Sequence, residues 1–257
     1  MQKTEIVEVV QPELKNPILV EGLPGLGMVG RIAVRYLSKS LGAERLAFLY
    51  SPHFPYYVVV SKKGDARLLR GEFRFWRNIK GGSDAVFLSG DSQAQTIEGQ
   101  YEVADTILEF AKTHGIKTII SLGGFRMEIE NTPKVIAAAT NRTLLDRAVA
   151  AGAIMSGAGN PVVGTAGLLL GMAHFKHIEA LCLLSETRGY LPDPRSAKSM
   201  LDVLVKLLNV DLDLAGMDKE IAKAEQIVAK MQQIEKRREE QAQKMREQEE
   251  GKVRYIS

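Results

Sequence analysis

The chain has one cysteine, Cys182, so no disulfide can form within it. Cys182 also lies in the apolar run 180–184, which reads as a buried strand and not as a reactive thiol. Charge of one sign is scarce: 34 Lys and Arg are offset by 31 Asp and Glu, leaving +3. The basic residues are interleaved with acidic ones, which excludes a broad electrostatic footprint for DNA or RNA. No apolar run approaches the roughly 20 residues that span a bilayer, and Met1-Gln2-Lys3-Thr4-Glu5 lacks a signal-type apolar region. A cytoplasmic protein that meets neither membrane nor nucleic acid is therefore expected. Catalytic signatures are equally sparse. There is no Gly-x-Ser-x-Gly elbow, Walker loop or zincin helix. His174 and His177 have no acid or thiol to complete a metal set. The expectation is no catalytic residue, no metal and no cofactor.

What the sequence does have is a strand, a glycine loop and a helix between Asn16 and Leu37. Ile18, Leu19 and Val20 form an apolar run; Gly22, Gly25, Gly27 and Gly30 permit sharp turns; Ile32, Ala33, Val34, Tyr36 and Leu37 follow at helical spacing. Gly25-x-Gly27-x-x-Gly30 satisfies the dinucleotide fingerprint, in which free helix N–H groups receive a pyrophosphate. The next apolar run, 46–50, ends in Ser51-Pro52 without the acid that would hold a ribose, and Pro24 removes a donor. The two readings are a phosphate cradle and a loop that lets strand and helix pack closely.

Beyond the loop, Thr4–Val10 reads as an edge strand. Residues 54–77 alternate with turn residues between, as in an antiparallel β meander. From Asp84 to about Asn209 strand and helix patterns alternate, which predicts an α/β fold with a mostly parallel sheet flanked by helices. Asp91, Asn160 and Glu186 each follow an apolar strand pattern, as does Gly123-Gly124-Phe125-Arg126, read as a turn. With Gly25, Gly27 and Gly30 those three polar residues make the candidate small-molecule site, in which Asp91 or Glu186 would serve as general base or ribose ligand. Asp, Asn and Gly after strands also serve as turn formers and helix caps.

Composition shifts after the breakers in 211–218. Residues 219–250 contain no glycine or proline and predict a helix of about 45–50 Å. Ala224, Ile227, Met231, Ile234, Arg238, Gln241 and Met245 alternate at spacings of three and four, the pattern of a coiled-coil seam whose far half weakens. Gly251 stops the helix, and the tail 251–257 ends in Val253, Tyr255, Ile256 and the Ser257 carboxylate. The expected division is an α/β domain over 1–210, a linker, a helix over 219–250 and a docking tail.

Taken together, Val20-Glu21-Gly22-Leu23-Pro24-Gly25-Leu26-Gly27-Met28-Val29-Gly30, Leu88-Ser89-Gly90-Asp91-Ser92-Gln93, the stretch 157–170, and the run from Leu184 to Pro194 resemble the proteasome assembly chaperone family. The resemblance is to archaeal homologues of its second eukaryotic-type subunit. It implies a nucleoside-phosphorylase-like α/β fold used for protein binding without chemistry, and a homo-oligomer that engages proteasome α-subunits. In that family and among proteasome activators, a C-terminal hydrophobic-tyrosine-any tripeptide docks between α-subunits with its carboxylate on a lysine. Here Tyr255 is third from the end and Ile256 follows, one position away from that pattern. Val253, Tyr255, Ile256 and Ser257 are the partner-binding residues this implies, with Ala224, Ile227, Met231 and Ile234 as the oligomer seam. The alternative is a nucleotide or nucleoside enzyme, phosphorylase-like or an ATP-dependent ligase, built on the glycine loop and strand-end carboxylates.

Overall fold

A computed structural model describes residues 1–129 and 131–226. Two units separate at Leu214 and Ala215. The first is a nine-stranded mixed sheet between helical layers, with strand order β1-β3-β6-β7-β2-β8-β11-β9-β10. Its centre comprises β7 (Ala85–Gly90), β2 (Ile18–Gly22), β8 (Thr118–Arg126) and β11 (Glu179–Thr187), all mutually parallel. On one flank β6 (Gly71–Trp76), β3 (Glu44–Tyr50) and β1 (Glu5–Glu8) add antiparallel, with β1 at the edge as its sequence suggests. On the other, β9 (Val135–Ala139) runs antiparallel to β11, and the short β10 (Ile154–Met155) pairs parallel with β9.

The expected meander is split. Residues Val58–Val60 (β4) and Ala66–Leu68 (β5) form a separate hairpin, whereas β6 enters the main sheet. The alternation of β6 explains why: Phe73 and Phe75 bury one face while Glu72, Arg74 and Trp76 line the other, so the strand can be covered on one side only.

Helices α1 (Val29–Ser40), α3 (Arg142–Ala150) and α5 (Pro194–Leu207) lie over one face, α2 (Ile97–Thr113) and α4 (Gly164–Met172) over the other. Three of them start at side-chain caps. Thr96 and Asn141 accept the N–H of Gly99 and Leu144 at the starts of α2 and α3, and Asp193 caps α5 ahead of Pro194. Gly42, at φ +67°, ends α1. The core between the sheet and the α2/α4 layer includes Leu19, Leu49, Phe73, Leu88, Ile107, Ile119 and Leu169. Each such side chain contributes about 1.5–3 kcal/mol on burial.

The second unit begins with a helical stretch over 215–226, which contains Ala224. The other predicted seam positions, Ile227, Met231 and Ile234 with Arg238, Gln241 and Met245, and the tail residues Val253, Tyr255, Ile256 and Ser257 lie outside the described residues. No helix among the described residues is long and apolar enough to cross a membrane.

Candidate functional site at the strand ends

Glycine supplies close approach in the loop after β2. A Cβ on Gly22 would lie 2.3 Å from the carbonyl oxygen of Gly30, and one on Gly30 would lie 2.2 Å from that of Leu122 in β8. Gly27 has φ +59°, and its Cβ would meet the Thr187 hydroxyl at 2.5 Å. Gly25 alone has room, with only the Gln93 amide at 3.6 Å. Several of the loop's polar groups are turned onto the protein. Leu23 N–H donates to Glu21 Oε1 at 2.7 Å, and Gln93 Nε2 to the Pro24 carbonyl at 2.6 Å. Met28 N–H donates to the Gly25 carbonyl, Val29 N–H to that of Leu26, and Asp193 N–H to that of Gly27 at 2.8 Å.

Gly123, Gly124, Phe125 and Arg126 do not turn out of β8, as expected from the sequence, but continue it. The two glycines make room for neighbours: a Cβ on Gly124 would sit 2.6 Å from the Leu26 carbonyl, and one on Gly123 would sit 2.9 Å from the Leu184 side chain. The second strand-end segment ties down the first. Asp193 Oδ2 accepts from the Thr187 hydroxyl at 2.8 Å and Oδ1 from Ser196 N–H at 3.0 Å, while the Asp193 N–H holds Gly27.

The polar candidates occupy separate places. Asp91, just after β7, receives both terminal nitrogens of Arg67, at 2.5 and 3.2 Å, and the Arg70 N–H at 3.1 Å. Burial raises its pKa, but the bonds from Arg67 and Arg70 and the Arg67 charge outweigh this and hold it below the usual carboxylate range. Glu186 lies within β11, where its Oε2 accepts the Lys134 N–H at 2.9 Å. Strands β7 and β11 are separated by β2 and β8, so Asp91 and Glu186 stand roughly 14 Å apart across the sheet. Asn160 is exposed in the loop after β10. The structure therefore brings Gly25 and Gly27 together with Gln93 and Thr187, but not Asp91 with Glu186. Among the described residues no group of His, Cys, Asp and Glu is arranged to hold a metal ion.

The Arg67–Asp91 pair fastens the β4–β5 hairpin to the end of β7. Because the Arg67 side chain is 37% exposed, Arg67→Ala is expected to cost only about 1 kcal/mol in chemical denaturation. It should nonetheless speed amide hydrogen exchange in 58–68. Unchanged exchange there would show that the hairpin is held by other contacts.

One group escaped the sequence reading. Glu21 lies at 1% exposure on the same sheet face as Leu19, in register with Ser121, which in turn pairs with Cys182. Its Oε1 is engaged by Leu23, but its Oε2 is buried and has no partner among the described residues. Burial, partly offset by the Leu23 N–H, pushes its pKa from the usual 4.5 to about 7. The Cys182 thiol, beyond Ser121 in the same row, is pushed up to about 12, again by burial first, which makes it inert as a nucleophile. The signal was the strand period: Ile-Leu-Val-Glu-Gly puts Glu21 on the face of Leu19.

Comparison with solved structures places this arrangement among known folds. PbaB of Pyrococcus furiosus, described as an archaeal proteasome activator, superposes with a TM-score of 0.86 at 33% identity, covering 90% of this chain and 100% of that one. PbaA of the same organism, an archaeal homolog of proteasome-assembly chaperone, gives a TM-score of 0.74 at 26% identity, over 96% of this chain and 98% of that one. An uncharacterized protein of Methanocaldococcus jannaschii is 33% identical over 210 residues, 81% of this chain and 80% of its own. A family model described as the PAC2 family matches residues 19–232, and the chain belongs to that family.

Proposed function

We propose that this chain is a non-enzymatic, cytoplasmic proteasome-binding protein, an assembly chaperone or an activator that works without ATP. It engages the proteasome α-ring through C-terminal tails displayed on a homo-oligomer. The observation that carries this reading is the likeness to a proteasome activator over nine-tenths of the chain. The strand ends support it: Gly22, Gly27 and Gly30 are spent on close packing, and the carboxylates accept bonds from their own chain.

Binding energy then does the work. Each tail offers Val253, Tyr255, Ile256 and the Ser257 carboxylate to a pocket between α-subunits, and several weak tails reaching adjacent pockets together gain avidity. The seam through Ala224, Ile227, Met231 and Ile234 brings tails side by side. The body adds its share through Tyr56, Tyr57, Val58, Val60 and Leu68, which are exposed on and beside the hairpin. Tyr255→Ala should weaken binding to immobilised α-rings by about tenfold or more, because an aromatic anchor is lost from every tail at once. Undiminished binding by Tyr255→Ala and Ile256→Ala alike would overturn tail docking.

A further inference from the structure

On the α1 side of the sheet, beyond the cover of the helix, arginines gather from five segments. Across the sheet, Phe48, Glu72 and Ser89 stand in one row of β3, β6 and β7. The Arg70 guanidinium lies over the Phe48 ring at 3.7 Å, and Arg45 over the same ring at 5.2 Å. Arg45 and Arg74 converge on Glu72, at 3.6 and 2.7 Å. Arg67 grips Asp91, and Arg31 of α1 stands close enough to Asp91 to feel its charge. Five arginines thus face two carboxylates, although the whole chain carries only +3.

Several donors here are unused. Arg70 makes no side-chain hydrogen bond or ion pair among the described residues; stacking on Phe48 leaves its N–H edge free. Arg31 Nε and Ser89 Oγ are buried and have no partner among the described residues. Burial and the neighbouring charge of Arg35 oppose the Arg31 cation, and Asp91 only partly compensates, so a further anion would be welcome there.

We propose that this arginine face docks an acidic segment of a partner protein, with side-chain carboxylates of that segment received by Arg70, Arg45 and Arg31. The geometry favours carboxylates over a phosphate backbone. The face already holds two carboxylates in the manner suggested, one of them gripped by two nitrogens of a single guanidinium. Glu72 and Asp91, interleaved with the arginines, would repel a continuous row of phosphates, whereas carboxylates spaced along a peptide can fit between them. This surface is distinct from the tail and does not rest on tail docking.

The test is fluorescence anisotropy of a fluorescein-labelled deca-glutamate peptide titrated with the full-length chain. Saturable binding is expected at low salt, falling in about 0.5 M salt as screening shortens the reach of the charges. The double variant R45E/R70E should bind about tenfold or more weakly, since two charge-assisted contacts turn repulsive. A chain lacking Lys252 to Ser257 should bind as the full-length chain does, so failure here and failure of tail docking are separable. If the charge reversals disturb the thermal melt, Arg70→Gln, which keeps a polar side chain over Phe48, is read in their place. The proposal is overturned by absence of saturable peptide binding, by equal binding of the folded variants, or by tighter binding of a single-stranded oligonucleotide of equal charge.

Discussion

Replacing Glu21 by glutamine is expected to stabilise the protein at pH 8 by on the order of 3 kcal/mol, and to change little at pH 5. The folded state holds the Glu21 proton up to about pH 7, whereas the unfolded chain releases it near 4.5. Across that window the folded state binds more protons, so stability falls as pH rises and levels off above about 7. Glutamine keeps the shape and an acceptor for Leu23 N–H, but carries no charge to desolvate. Denaturant titrations of both proteins between pH 4.5 and 8.5 would show the wild type losing stability relative to the variant. Parallel curves would mean that solvent reaches the carboxylate or that a partner compensates its charge.

The second large effect belongs to the glycine loop. Gly30→Ala should destabilise the fold by about 3 kcal/mol or more, because its Cβ would meet the backbone of Leu122, which cannot rotate away as a side chain would. Gly22→Ala should do the same against Gly30. Gly25→Ala, with the Gln93 amide 3.6 Å away, should fall within about 0.5 kcal/mol of the wild type. A phosphate cradle orders these positions differently: there the glycine nearest the ligand is the sensitive one, and its loss removes nucleotide binding while the fold survives. Thermal melts of the three variants, with and without a panel of nucleosides and nucleotides, separate the two. A thermal shift on nucleotide addition that Gly25→Ala abolishes would restore the cradle.

Strand, glycine loop and helix were legible because each signal is local: an apolar run, four small residues and helical spacing. The caps Thr96, Asn141 and Asp193 are local signals of the same kind that the reading passed over, and the helices behind them start two or three residues earlier than their apolar spacing suggests. What stayed hidden is set by distant neighbours. Gly123-Gly124 looks like a turn, and only the path of the loop at Leu26 over β8 shows why two glycines stand in mid-strand. The run Val135–Ala139 gives a strand but no direction, and its antiparallel pairing with β11 comes from the route of the chain. Candidate site residues were found one at a time by their place after strand patterns; their separation across β7 and β11 depends on strand order, which periodicity does not encode. Arg67, Arg70 and Arg74 of the arginine face sit close together in the sequence, but Arg31 and Arg45 join them only through the fold, so the sequence does not show the five as one surface.

Tail-dependent binding to the proteasome is best tested by sedimentation velocity. The full-length protein and a version lacking Lys252 to Ser257 would each be mixed with assembled proteasome α-rings. The expected result is co-sedimentation of the full-length chain alone, with both versions equally folded by circular dichroism. Undiminished co-sedimentation of the truncated chain would contradict docking through the tail, and no co-sedimentation of either would contradict the proteasome as its partner.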